Sequence, residues 1–267
     1  MENHKTERVK IVIPVYTDNL NVYEQISLKQ LCQVMGSYDI LFVKPLSLSE
    51  ERLNRLAPKA GFESFPDEYF SDIKSYNRLM LSSEFYYRFL SCEYILIYQL
   101  DSYVFKDSLI EWCSKGFDYV GAPWIKRSVY NRFPINIFIA IERYINSTLL
   151  GRPDRQKLFN QVGNGGFSLR KVSSHYLATV ECREKIEEFS QKRQFHLFNE
   201  DVFWSVEVNN HLKNKFIYPH YIRALEFSFD KHPEYCYNLN GKKLPFGCHG
   251  WSKREMIGFW KSIIPVV

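Results

Sequence analysis

The chain has 267 residues, 45% of them apolar and 24% charged, with a formal net charge of +5. That length suits one large α/β domain or two small ones, and the apolar share excludes wholesale disorder. The charge suits a polyanionic ligand or an anionic membrane surface but falls short of the basic face of a nucleic-acid binder, so no nucleic-acid partner is expected.

No apolar run reaches the roughly 18 residues that span a bilayer, and MENHKTERVK lacks the apolar segment of a signal peptide. A cytoplasmic protein is the expectation. Six cysteines show no paired spacing and read as reduced core residues.

In chain order, Val9–Tyr16 (VKIVIPVY) is a predicted first strand, its Pro near an end where no ladder donor is needed. Tyr23–Met35 carries apolar residues at helical spacing and Tyr38–Val43 is a second strand, so the chain opens on a parallel crossover unit. Ser47–Leu56 is a predicted helix, with Ser47 as N-cap and Glu50 completing a capping box. Lys74–Leu90 is predicted as one helix, with Leu79, Phe85, Phe89 and Leu90 able to face a sheet. Lys74, Tyr76, Asn77 and Arg78 gather at its start, as a solvated first turn or an anion site.

Tyr94–Phe105 organises the rest. Tyr94–Tyr98 is apolar on both faces, as a buried central strand is, and Asp101 follows at its tip. A carboxylate there is costly unless paired, and in open α/β sheets ligands bind beyond the carboxyl ends of the strands. A metal ion carrying a phosphate answers both points; a cap on a helix over Lys106–Cys113 answers the first alone. Phe117–Trp124 is a short strand ending in a Gly-Ala-Pro turn. Ile135–Leu150 is apolar with few charges, for which core or lid packing is the expected reading, and a dimer contact or a membrane-facing flap the alternatives.

Val162–Arg170 joins the turn Gly163–Gly166 to a short strand. Glycine is used where φ must be positive or where something approaches the backbone closely, though a plain β-turn looks the same. Lys171–Arg193 is a charged helix. Asn199–Val206 opens another, with Asn199 as N-cap, Glu200 and Asp201 in the first turn, and Phe203 and Trp204 inward. The helix dipole accounts for the acidic pair, yet adjacent carboxylates also raise one another's pKa, which suits a general base. Lys215–Pro219 is a predicted strand and Ala224–Phe229 a short apolar piece. Leu244–Trp251 sets His249 among small residues that leave its imidazole accessible, although a lone His is more often structural than a ligand. Met256–Val267 is a short apolar helix. Without repeats or linkers, this order gives one continuous domain, α/β first and mixed second.

QLDSYVF, VGAPW, VGNGGFSLR, NEDVFW and LPFGCHGW, in that order, resemble the GT-A glycosyltransferase superfamily, and more closely a bacterial family described as domain of unknown function number 5672. The similarity runs from about Val9 to Trp251. It implies a single GT-A-like α/β domain over residues 1–267, with a Rossmann-like nucleotide-sugar-binding half (1–124) and a mixed-sheet acceptor half (125–267). The implied reaction moves a sugar from a nucleotide diphosphate, expected to be UDP, to an acceptor hydroxyl.

On that resemblance, Val15, Tyr16, Tyr76 and Asn77 fall where the base and ribose are touched. Asp101 falls at the end of the superfamily's DxD motif, with Gln99 in place of the first Asp. An amide oxygen is a poorer ligand for Mn²⁺ or Mg²⁺ than a carboxylate. His249 matches a late His that often ligates the same cation. Glu200 and Asp201 match an acidic motif whose final Asp deprotonates the acceptor in inverting members. Asn164, Gly165 and Gly166 are expected against donor or acceptor, and Trp124 and Trp251 are candidates for stacking on sugar faces or for core packing.

Two other classes stay open. A metal-dependent phosphohydrolase or nucleotidyltransferase would gather several carboxylates for two metals, where only Asp101 can be named. A non-catalytic nucleotide-sugar-binding module that has lost its metal site would be consistent with Gln99. A carbohydrate or lipid-linked oligosaccharide acceptor for surface polysaccharide, and peripheral contact at the inner face of a membrane, are expected from the mild basic charge, Ile135–Leu150 and the apolar tail.

Overall fold

A computed structural model describes residues 7–149, 154–192 and 196–265; Leu150, Arg193 and the last two residues of the tail lie outside them. Strands and helices alternate through β1 (Glu7–Pro14), α1 (Val22–Met35), β2 (Ile40–Pro45), α2 (Glu51–Leu56), β3 (Gly61–Phe65), α3 (Ile73–Met80), α4 (Ser83–Tyr87) and β4 (Cys92–Tyr98). A mixed half follows: β5 (Ser102–Val104), α5 (Leu109–Cys113), β6 (Tyr119–Val120), α6 (Ile135–Tyr144), β7 (Phe167–Lys171), α7 (Val172–Glu181), α8 (Arg183–Gln191) and α9 (Glu200–Val202). The chain closes with α10 (Tyr221–Ala224), β8 (Ser228–Phe229), α11 (Pro233–Leu239), β9 (Gly247–His249) and α12 (Ile257–Trp260).

The larger sheet has the order β3-β2-β1-β4-β7-β6. Its first four strands are parallel, β7 is antiparallel to β4, and β6 is antiparallel to β7. A three-stranded sheet, β5-β9-β8, stands beside it. The fold is therefore mixed α/β, with the parallel strands in the first half as expected.

The continuous apolar runs are two alternating faces read together. Ile11, Ile13, Tyr94, Leu96 and Tyr98 meet Leu28, Leu31 and Met35 of α1 on one side. Val12, Ile95 and Ile97 meet Leu79, Phe85 and Phe89 on the other. A capping box starts α1, with Asn21 Oδ1 accepting from Tyr23 and Glu24 N, and Glu24 Oε2 accepting from Asn21 N. A third cluster, with Tyr103, Cys248, Trp251 and Trp260, packs behind the small sheet.

Several expectations are corrected. The helix foreseen over Lys74–Leu90 is two, because Ser82 Oγ accepts from Phe85 N and starts a new helix. Ser47 caps nothing: its N–H donates to Asp67 Oδ1 (3.0 Å), and α2 begins at Glu51. β3 is an edge strand, half-exposed along GFESF, and too polar to announce itself. Lys171–Arg193 divides at Cys182 into α7 and α8. Lys215–Pro219 joins no ladder, since Ile217 takes its two bonds from Asp118, one of them to the Oδ2 of that side chain. The described part of Ile135–Leu150 is not core: α6 (Ile135–Tyr144) buries no residue, and Phe138 is 66% exposed. No helix among the described residues is long and apolar enough to cross a membrane.

Candidate active site

Two clefts open beyond the carboxyl ends of β1 and β4 and share a wall at Ile73, Tyr76 and Gln99. The first, about 500 Å³, runs over Val15, Tyr16, Phe70 and Asp101. The second, about 610 Å³, is bounded by Trp124, Asn164, Asp201, Asp230 and Lys253.

Gln99–Asp101 forms the turn by which the chain leaves the large sheet at β4 and enters the small one at β5. Its backbone is tied to the glycine turn through Gln99 N donating to Gly166 O (2.8 Å). β9 pairs with β5 so that His249 lies opposite Ser102, and β8 runs parallel to β9, carrying Asp230 alongside. Three donors thereby converge: His249 Nε2 lies 3.0 Å from Asp101 Oδ1 and 3.1 Å from Gln99 Oε1. Its Nδ1 lies 3.1 Å from Asp230 Oδ1 and 3.0 Å from Asn164 Nδ2. Lys253 Nζ reaches Asp101 Oδ2 at 3.4 Å.

The charges reinforce one another. Burial alone would raise the Asp101 carboxyl, but His249 and Lys253 outweigh it and bring it down to about 2. Burial would lower His249, yet Asp101 and Asp230 lift it to about 9. His249 is 7% exposed, so the accessible imidazole expected from its small neighbours is overturned. Gly166 lets the ring lie directly against its backbone.

Among the described residues no group of three or more His, Cys, Asp and Glu is arranged to hold a metal; here the third donor is an amide. With the imidazole deprotonated by the binding itself, its Nε2, 3.0 Å from Asp101 Oδ1 and 3.1 Å from Gln99 Oε1, offers with them one nitrogen and two oxygens to a cation such as Mn²⁺. The carboxylate of Asp230 behind Nδ1 is the usual support for a ligating His. Mg²⁺ and Mn²⁺ sites of few protein ligands are completed by substrate phosphates and water.

The acidic pair divides. Glu200 turns inward and pairs with both ends of the Arg170 guanidinium at 2.9 Å. Arg170 is fully buried and also donates to Tyr86 Oη (2.9 Å) and Ser168 Oγ (3.0 Å). Asp201 faces the second cleft and accepts from Val202 N at 2.9 Å. Burial first, then the neighbouring Glu200 and Asp230, raise its carboxyl to about 7. Glu200 is held by Arg170 in the wall of the second cleft, which Asp201 and Asp230 also line.

Val15 is buried and Tyr16 is 72% exposed, both on the first cleft. Tyr76 Oη accepts from Gln99 Nε2 at 3.2 Å. Asn77 spends both ends of its amide on the acidic segment, donating to Asn199 Oδ1 and accepting from Glu200 N. Trp124 lines the second cleft, whereas Trp251 is wholly buried against Tyr23 and Tyr103 and offers no face to either cleft. Asp230, Arg170 and Lys253 escaped sequence reasoning as site residues. Asp230 carries the same signal as Asp101, a carboxylate just past an apolar strand.

Of the two causes expected for the glycine turn, close approach to the backbone is the one found. The left-handed residue is Asn164 (φ 54°), not a glycine. A Cβ on Gly165 would meet the Glu200 carboxylate, and one on Gly166 would fall on the His249 imidazole and the Gln99 amide. The glycines make room first for side chains of the site itself. Gly166→Ala is therefore expected to prise His249 from Gln99 and to cost about 1–3 kcal/mol of stability through overpacking. A thermal melt beside wild type checks it; a variant that melts like wild type would refute it.

The family described as "Protein of unknown function (DUF5672)" matches residues 59–249. No curated protein matches the chain. Among solved structures, galactosyltransferase LgtC in complex with donor and acceptor sugar analogs has a TM-score of 0.51 at 17% identity, covering 90% of this chain and 86% of that one. The apo glycosyltransferase GlyE of Streptococcus pneumoniae TIGR4 gives 0.52 at 13% identity, covering 94% of this chain and 56% of its own. The bifunctional glycosyltransferase WbbM gives 0.51 at 16%, with 93% and 46% covered. At these identities the likeness shows a shared GT-A fold.

Proposed function

We propose that this chain, which belongs to the family described as "Protein of unknown function (DUF5672)", is a glycosyltransferase that moves a sugar from a nucleotide diphosphate to the hydroxyl of a carbohydrate or lipid-linked oligosaccharide. The carrying observation is that two clefts meet at Gln99, with the Asp101–His249–Lys253 cluster at their junction and Asp201 in the second. The first cleft would take the nucleotide, here assigned as a uridine diphosphate, between Val15, Tyr16 and Tyr76. The second would take the acceptor.

A divalent cation held by Asp101, His249 and Gln99 would supply positive charge to the diphosphate as it leaves. Lys253 brings a further cation of the chain's own to the same place. The bond between the anomeric carbon and the diphosphate oxygen breaks, with its electron pair going to the diphosphate. The acceptor oxygen forms the new bond to that carbon, and its proton passes to the Asp201 carboxylate. A base acting opposite the leaving group gives an inverted anomer, as glycosyl transfer through an oxocarbenium-like transition state requires for direct displacement. Surface-polysaccharide synthesis is the setting that such an acceptor would fit.

A thermal-shift screen of nucleotide sugars, with and without Mn²⁺, tests this reading. A selective donor present at 100 times its Kd stabilises the fold by about 2.7 kcal/mol, and the shift is expected to grow with Mn²⁺. Fast stoichiometric donor hydrolysis without acceptor would instead indicate a phosphohydrolase. Binding without turnover over a broad acceptor panel would indicate a non-catalytic module.

A further inference from the structure

A surface helix ordinarily turns polar side chains to water and apolar ones to the body of the protein. α6 instead carries apolar side chains on both sides. Its half-buried residues Ile135 and Ile139 lie on one side, and Gln156 Nε2 ties that side to the body by donating to Ile139 O (2.9 Å). On the other side Ile137, Phe138, Ile141 and Tyr144 are between 46% and 66% exposed, and Phe133, just before the helix, is 79% exposed. These four follow helical spacing and form one continuous outward stripe.

The charge of the sequence segment that holds the stripe is lopsided. From Lys126 to Lys157 the chain carries seven Lys/Arg against two Asp/Glu, which accounts for the whole of its net charge of +5. Arg127 and Arg132, in the segment that leads into α6, are both exposed. We propose that α6 and the turn before it are a docking surface for an anionic phospholipid bilayer. Apolar side chains enter the headgroup boundary while basic ones meet the lipid charge. A second copy of the chain is the wrong occupant, because it would bring the same positive segment against itself.

The location gives the contact a purpose. Tyr130 and Phe159 are stacked with centroids 5.7 Å apart and both line the second cleft, and the turn Ser128–Asn131 leads into α6. A bilayer lying on α6 would border the mouth of that cleft. The inference goes beyond the sugar-transfer reading and stands apart from it, since it is read without donor or acceptor.

Flotation of the full chain with phosphatidylcholine vesicles, with and without phosphatidylglycerol and at low and high salt, tests it. Binding is expected to rise about tenfold or more when phosphatidylglycerol is included at low salt, each basic residue near the surface counting for roughly fivefold. Phe138→Ser with Ile141→Ser is expected to lose at least ~10-fold in vesicle affinity, and Arg127→Glu with Arg132→Glu at least ~25-fold. All four positions are exposed, so the variants should keep wild-type melting. Equal binding to both vesicle types, or variants that bind like wild type, would overturn the proposal. So would light scattering that shows a wild-type dimer dissociated by the serine pair, which would make the stripe an interface between copies.

Discussion

Asp101→Ala is expected to lower turnover by about 10²–10³-fold, the cost of removing a fixed electrostatic group from the place where leaving-group charge develops. Asp101 is the carboxylate among the three donors that converge with His249 Nε2, and its second oxygen holds Lys253. Because His249 and Lys253 override burial and keep its carboxyl near 2, Asp101 itself is charged at any working pH. Nucleotide-sugar affinity and stimulation by Mn²⁺ should fall together. Asp230→Asn acts one step removed, through His249 Nδ1, and should cost about 10–100-fold in cation affinity. Calorimetric titration of the donor with and without Mn²⁺ separates the two variants. Wild-type turnover indifferent to EDTA would take the cation out of the scheme and leave Asp101 as a sugar or ribose contact.

The parts of this site that were legible lie on long strands. β1 and β4 are buried on both faces, so their composition marks them as central, and a carboxylate at the tip of β4 stands out. Asp230 obeys the same rule but follows a strand of 2 residues, too short to show a pattern. The pairing of Glu200 with Arg170 joins residues 30 apart in sequence, each of which reads locally as a first-turn acid and a strand-end base. No periodicity joins them. His249 looked accessible because glycines flank it nearby, whereas those glycines admit neighbours rather than solvent. For α6, helical spacing shows that its apolar residues share one face but is silent on whether that face points inward. Exposure of the stripe is a tertiary fact.

Asp201→Asn is expected to cut turnover by about 10²–10⁴-fold while leaving donor binding nearly intact, because it keeps the shape of the side chain and removes its capacity to take a proton. The neighbouring carboxylate makes a built-in comparison. Glu200 is held against buried Arg170, so Glu200→Gln leaves an uncompensated charge in the wall and should destabilise the fold by about 3–5 kcal/mol, whereas Asp201→Asn removes a carboxylate that burial and Glu200 disfavour and should melt no lower than wild type. The pH profile adds a second signature. Burial and the charges of Glu200 and Asp230 set Asp201 at about 7, and the base acts only when unprotonated. Turnover should therefore fall tenfold per unit below about pH 7 and level off above it, and this acid limb should vanish in Asp201→Asn. Near-normal turnover of the variant, an acid limb that survives in it, or a product that keeps the donor's anomeric configuration would each remove the base assignment. Retention would place attack on the leaving-group side, where no opposite-face base is needed, and Asp201 would be left to orient the acceptor hydroxyl.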